Sequence, residues 1–248
     1  MNRYRRELRD RWLAARLSLA GRAHQYPEVQ ALRRFLSAFS VDCLIDVGAN
    51  RGQYATMARQ DAGYRGLILS FEPNPDVFAE LQRKAASDRR WQVFNMALSD
   101  FDGAASFNIM AADQFSSLKN PAGDQDAVFA DRNKVTKTVE MQCRRIDTLL
   151  PELMQSHGFG RPFLKMDTQG HDLSVCEGAG GMLTRMAGVQ TELGVRPIYD
   201  GGTSYRQMID WLEARGFAPS AFFANNKGHF PLLVEMDGIF VNRALVGD

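Results

Sequence analysis

The chain has 248 residues, 45% of them hydrophobic and 24% charged, which suits one α/β domain with a sizeable core and gives no cause to invoke a second. A net charge of +1 offers no global field for nucleic acid, whose binding rests on clustered Lys and Arg, so a small or neutral substrate is favoured. Cys43, Cys143 and Cys176 are odd in number, far apart and without a C-x-x-C pair. They argue against a disulfide framework or a zinc site and for a cytoplasmic protein.

Residues 1–22 set Arg3, Arg5, Arg6, Arg9, Arg11, Arg16 and Arg22 against only Glu7 and Asp10, with Tyr4, Trp12, Leu13, Leu17 and Leu19 among them. The pattern predicts a basic amphipathic helix whose apolar stretches are too short for an export signal or a membrane span. Peripheral docking to an anionic membrane or an acidic partner is one reading. A solvated helix laid over the sheet is the favoured one. Residues 28–39 form a second helix, so residues 1–40 read as an N-terminal helical extension to a domain over 41–248.

Residues 41–47, built around the apolar run Cys43-Leu44-Ile45, read as a parallel strand buried on both faces. It leads into Asp46-Val47-Gly48-Ala49-Asn50-Arg51-Gly52. Gly48 and Gly52 accept dihedrals that a β-carbon resists, and their lack of bulk is expected to clear the path of a ligand. A helix over 53–60 and a strand over 66–71 follow, and the strand delivers Glu72 to its end. There a carboxylate can accept from both hydroxyls of a ribose. A G-x-G-x-x-G pyrophosphate frame fails at Asn50 and Gln53, which disfavours a nicotinamide-dependent oxidoreductase. The D-x-G-x-N-x-G that remains resembles the D-x-G-x-G-x-G loop of S-adenosylmethionine (SAM) methyltransferases.

Asn74 caps a helix over 75–87 with Pro75 in its first turn, and a strand follows over 91–95. This β/α alternation predicts a doubly wound, mostly parallel sheet with ligands at the carboxyl ends of its strands. Regularity fails over 101–148. Strands over 104–110 and 135–144 read as an added hairpin around an aperiodic segment, 111–134, containing Asp113, Asn120, Pro121, Gly123, Asp124 and Asp126. That segment is a candidate lid, with disorder the rival explanation. Ser116 and Ser117 open it, and either close over the cofactor or lie in a solvated loop.

A buried strand over 162–166 ends in Lys165-Met166-Asp167-Thr168-Gln169-Gly170-His171-Asp172, with Lys165 and Asp167 on one side of the extended chain. A helix over 173–177, a strand over 189–193 carrying Glu192, and a helix over 205–215 come next. Strands over 217–224 and 231–242, joined by Asn225-Asn226-Lys227-Gly228, close the chain as an antiparallel hairpin. That is the arrangement of class I methyltransferases.

The chain resembles the FkbM family of SAM-dependent methyltransferases over roughly residues 41–242. The resemblance rests on the loop at 46–52, Phe71-Glu72-Pro73, Asn95-Met96-Ala97-Leu98-Ser99-Asp100, Ser116-Ser117-Leu118, Arg145-Ile146-Asp147-Thr148-Leu149, residues 164–170 and Asp237-Gly238-Ile239-Phe240-Val241. It implies methyl transfer to a hydroxyl of a sugar, glycolipid or natural-product scaffold. SAM would be held by Asp46, Gly48, Asn50, Gly52, Gln53, Glu72, Asn95, Ala97, Leu98 and Ser117. The family often has Glu-Gly-x-Glu where this chain has Gln169-Gly170-His171-Asp172.

Transfer to an alcohol needs a base within hydrogen-bonding reach. Asp167, His171 and Glu192 are the candidates, with Lys165 steadying a developing alkoxide or pairing with Asp167. A structural ion pair at the strand end and an exposed helix-start histidine are the bland alternatives. Asp167 and Glu192 are also the pair that would take a divalent ion, and Tyr199 and His229 are expected at the rim. A module that binds SAM without catalysis is the alternative function, against which intact Lys165 and Asp167 argue.

Overall fold

Short runs buried on both faces build the inner strands of a seven-stranded sheet in the computed structural model, which describes residues 3–123, 125, 131–224 and 231–247. Two helices come first, α1 (Arg3–Leu19) and α2 (Tyr26–Ala38). The β/α units follow: β1 (Cys43–Val47), α3 (Gln53–Met57), β2 (Leu67–Phe71), α4 (Pro75–Ala85) and β3 (Trp91–Phe94). Next are β4 (Ala97–Leu98), β5 (Gly103–Met110), β6 (Val135–Arg144), α5 (Ile146–His157), β7 (Pro162–Met166) and α6 (Asp172–Ala179). The chain ends with β8 (Gly188–Gly194), α7 (Tyr205–Glu213), β9 (Phe217–Ala224) and β10 (Glu235–Asn242).

Strand order is β3-β2-β1-β7-β8-β10-β9. The first five are parallel, and β10 runs antiparallel to both neighbours. This is a class I methyltransferase-like fold. The chain leaves β1 in opposite directions toward β2 and β7, so a crevice opens at the carboxyl ends of those strands.

Both N-terminal helices are part of the core. Leu13 and Leu17 of α1 and Val29, Leu32, Phe35 and Leu36 of α2 share one apolar cluster with Leu44, Phe163 and Ile239 of the sheet. Cys43, Cys143 and Cys176 are free and buried. No helix among the described residues is long and apolar enough to cross a membrane.

Several elements differ from their predicted form. The helix expected over 53–60 ends at Met57 and continues as a π turn, Ala58–Ala62. Helix α5 was not anticipated; it carries Pro151 inside it and still forms, with Ile146, Leu149 and Leu150 buried. The hairpin β5–β6 forms as expected and gains β4, making a second, three-stranded sheet. The base of the predicted lid is tied into the fold. Ala111 and Ala112 donate backbone bonds to Lys134 and Arg132, Ser117 bridges Asn108, Pro121 bridges Tyr199, and Phe115 is buried. Asp124, Asp126, the turn Asn225-Asn226-Lys227-Gly228 and His229 lie outside the described residues.

Candidate active site

Below the loop at 46–52 runs a buried polar relay. Trp91 Nε1 donates to Ser70 Oγ (2.9 Å), which donates to Asp46 Oδ2 (3.0 Å). Lys165 Nζ pairs with Asp46 Oδ1 at 3.2 Å and lies 3.8 Å from Asp167 Oδ2. Ser70, Asp46 and Lys165 are cross-strand partners on β2, β1 and β7, so sheet register puts them together. Lys165 also donates to the Gly48 carbonyl (3.4 Å) and sits over the Tyr54 ring. Burial pulls its pKa down, but the Asp46 and Asp167 carboxylates outweigh burial and hold it above the usual lysine value.

The glycines act through the backbone, not by clearing a path for the cofactor. A β-carbon on Gly48 would stand 1.9 Å from the Asp167 carbonyl oxygen, and one on Gly52 would meet Trp91 and Leu81. Both take positive φ, as does Asn50, whose Oδ1 accepts from Arg51 N. Glu72 is 6% exposed and already holds two backbone donors, Asn50 N on Oε2 (2.7 Å) and Asn74 N on Oε1 (2.8 Å). Burial pushes its carboxyl up to about 7 against those bonds.

Glu72 stands at one side of a cavity of about 590 Å³ that also reaches the ends of β7, β8 and β10. Gly48, Asn50, Gln53, Ala97 and Leu98 line it, as do all four predicted catalytic residues. Asp167 is the open carboxylate, its side chain 45% exposed. Gln169, at φ +55°, donates its amide to Asp167 Oδ1 (2.6 Å) and Glu192 Oε2 (3.2 Å), bridging the pair proposed for a metal. Among the described residues no group of three or more His, Cys, Asp and Glu is arranged to hold a metal ion. Burial and the charges of Glu235, Asp167 and Asp237 raise Glu192 well above the usual carboxylate range. His171 Nε2 lies 2.9 Å from Ser99 Oγ, whose proton goes to Asp100, and Nδ1 is buried without a partner. Burial and the Lys119 charge lower its pKa to about 4, so the imidazole is neutral at ordinary pH.

Five predicted residues stand outside the cavity lining. Asp46 is 0% exposed and anchors the relay. Gly52 faces the core. Asn95 braces the backbone by donating to the carbonyls of Glu72 and Pro73. Ser117 donates to the Gln169 carbonyl (2.8 Å), stapling the predicted lid to the turn after β7. Tyr199, expected at the rim, is 4% exposed and donates to Gln169 Oε1 from beneath. Sequence reasoning missed Glu28, Tyr54, Gln190, Glu235 and Asp237 as lining residues. Gln190 links the first two, accepting from Tyr54 Oη (2.8 Å) and donating to Glu28 (2.8 Å).

A sheet of this order, with a buried carboxylate at the end of β2 and a cavity at the ends of β1 and β7, defines a class I methyltransferase-like enzyme. The chain belongs to the methyltransferase FkbM domain family, whose model matches residues 46–219. It is 23% identical over 178 residues to the 2-O-methyltransferase NoeI of Sinorhizobium fredii, covering 68% of this chain and 70% of that one. Among solved structures it is similar to the methyltransferase FkbM of Methylobacillus flagellatus KT, at 14% identity and a TM-score of 0.44, over 81% of this chain and 43% of that chain. It is also similar to the magnesium protoporphyrin IX methyltransferase of Synechocystis PCC 6803 with bound SAM, at 11% identity and a TM-score of 0.46, over 89% and 81%.

The family implies SAM as methyl donor, and the cavity's residues fit it. Glu72 keeps lone pairs for ribose hydroxyls, while Phe71, Met96, Ala97 and Leu98 offer an apolar wall for a base. The volume is that of a cofactor-sized pocket.

Proposed function

We propose that this enzyme transfers the methyl group of SAM to a hydroxyl oxygen of a sugar, glycolipid or natural-product scaffold. One observation carries the reading: Asp167, the open carboxylate, stands in the same cavity as Glu72, held by Gln169 and Lys165. SAM would supply the electrophilic methyl. The acceptor oxygen attacks that carbon, the carbon–sulfur bond breaks to leave neutral S-adenosylhomocysteine, and the hydroxyl proton passes to Asp167. Alignment by the rigid ends of β7 and β8 supplies much of the rate. Four polar side chains from three elements, Glu28 of α2, Gln190 of β8, and Glu235 and Asp237 of β10, suit an acceptor that presents several hydroxyls. The name of the curated relative, a 2-O-methyltransferase, supports oxygen as the acceptor atom.

The test is incubation with SAM and a panel of glycans and glycolipids, read by mass spectrometry. One product is expected to gain a single methyl, with stoichiometric S-adenosylhomocysteine. Calorimetric binding of S-adenosylhomocysteine without turnover on any polyol would instead favour a non-catalytic module.

A further inference from the structure

Helix α1 carries two apolar faces. Leu13 and Leu17, four residues apart, are each 1% exposed and packed into the core. Tyr4, Leu8 and Trp12 also recur every four residues, but on another side, where they are 65%, 48% and 61% exposed; Leu19, seven beyond Trp12, is 92% exposed. A surface helix that only covers a sheet needs the first stripe and gains nothing from the second. Charge surrounds the outer stripe. Arg9 and Arg11 are exposed beside it, and Arg16 lies over the Trp12 ring. The sequence of residues 1–22 carries seven arginines and only two acidic residues, Glu7 and Asp10, whereas the rest of the chain carries more Asp and Glu than Lys and Arg. Arg16 and Arg22 reach Asp61 of the π turn, which leaves Arg9 and Arg11 as the exposed charges beside the stripe.

We infer that the outer face of α1 docks on an anionic lipid bilayer, with Leu8, Trp12 and Leu19 in the headgroup boundary and the flanking arginines against acidic headgroups. A second copy of this chain fits less well, because a two-fold contact would set one arginine-rich stripe against another. The helix also ends beside the cavity. Arg22, three residues past Leu19, is one of its lining residues and is fixed by Asp61 and Gln25. Docking would therefore hold the site near the lipid surface without a membrane-spanning segment. The inference stands apart from the methyl-transfer reading, since it concerns a surface that the reaction does not use.

The experiment is co-sedimentation of the full chain with vesicles of phosphatidylcholine containing about one-third phosphatidylglycerol. Wild-type protein is expected to pellet with these vesicles, to stay in solution with pure phosphatidylcholine, and to be released by high salt. Trp12→Glu and Leu8→Glu are each expected to weaken partitioning by about tenfold or more, with unchanged melting temperature and S-adenosylhomocysteine affinity. Equal pelleting of wild type and both variants, or no pelleting of wild type, overturns the inference. So does a wild-type dimer in analytical ultracentrifugation that Trp12→Glu disperses, an outcome that assigns the face to a second copy.

Discussion

Glu72 ties cofactor affinity to pH. An ionised carboxylate accepts from both hydroxyls of a ribose, whereas a protonated one spends an oxygen as a donor. With its pKa pushed up to about 7, affinity for S-adenosylhomocysteine is expected to rise as pH rises through about 7 and then level off. Calorimetry of the wild type and of Glu72→Gln checks this, the variant losing the pH dependence. Stability follows the opposite sign. The folded protein keeps a proton that the unfolded chain releases above 4.5, so this carboxyl's contribution falls as pH climbs from 4.5 to about 7. Asp167→Asn is expected to lower turnover by about 10² to 10⁴, the span of general-base contributions, while S-adenosylhomocysteine still binds. A variant within about threefold of wild type would remove Asp167 from the chemistry. His171 titrates near 4, so no step in the rate between pH 6 and 7, where an unperturbed imidazole would act, is expected from it. Charges on apolar runs made Asp46, Lys165, Asp167 and Glu192 legible in the sequence. Their partners were not, because register across strands distant in sequence decides that Lys165 meets Asp46 before Asp167. Gln190 and Glu192, two apart on one strand, carried a similar but unread signal.

At the scale of elements, the strand ends and turns were readable because Gly, Pro and Asn punctuate them: β1, β2, β7 and β8 lie within two residues of their predicted bounds, whereas β10 begins at Glu235, four residues later than expected. Helix α5 was not readable, since its stability comes from Ile146, Leu149 and Leu150 packing on the sheet, which outweighs the cost of Pro151. The direction of the Gly48 side was equally hidden. From the sequence, bulk there should block the cofactor; in the fold it strikes the carbonyl of Asp167 across the sheet. The two accounts separate experimentally. Gly48→Ala is expected to destabilise the fold by about 2 to 4 kcal/mol, lowering the melting temperature by about 5 to 15 °C. Gly63→Ala is the control: it has the same sign of φ but open space around it, so only about 1 kcal/mol is expected. A stable Gly48→Ala protein that merely loses cofactor would restore the blocking account. Arg51 in the same loop pairs with Asp113 of the predicted lid and with Glu80 of α4 at 2.8 Å. The cofactor loop thereby holds one edge of the segment above it.

For the molecule as a whole, length and composition suited a chain with a sizeable core, but they could not show that the N-terminal helices help build the site. The family match begins at Asp46, yet α2 lies across the sheet and sends Glu28 into the cavity. A chain starting at residue 41 would lose Val29, Leu32, Phe35 and Leu36 from the cluster around Leu44 and Phe163. Those buried side chains, at about 1.5 to 3 kcal/mol each, are comparable to the whole of the usual margin of stability. Such a chain is expected to lack a cooperative melt by circular dichroism. Because that loss would mask any effect on catalysis, the role of Glu28 needs a gentler change. Burial raises its pKa, and the amide of Gln190 and the charge of Lys165 oppose the rise. Glu28→Gln keeps an acceptor for the Gln190 amide while removing the charge, so the melting temperature and S-adenosylhomocysteine affinity should stay at wild-type values. If α2 reads the acceptor, its KM should rise by about tenfold with little change in kcat, the signature of lost ground-state binding. An unchanged KM would leave Glu28 as a strut for Gln190 and Tyr54, and acceptor recognition would then lie with Glu235 and Asp237 on β10.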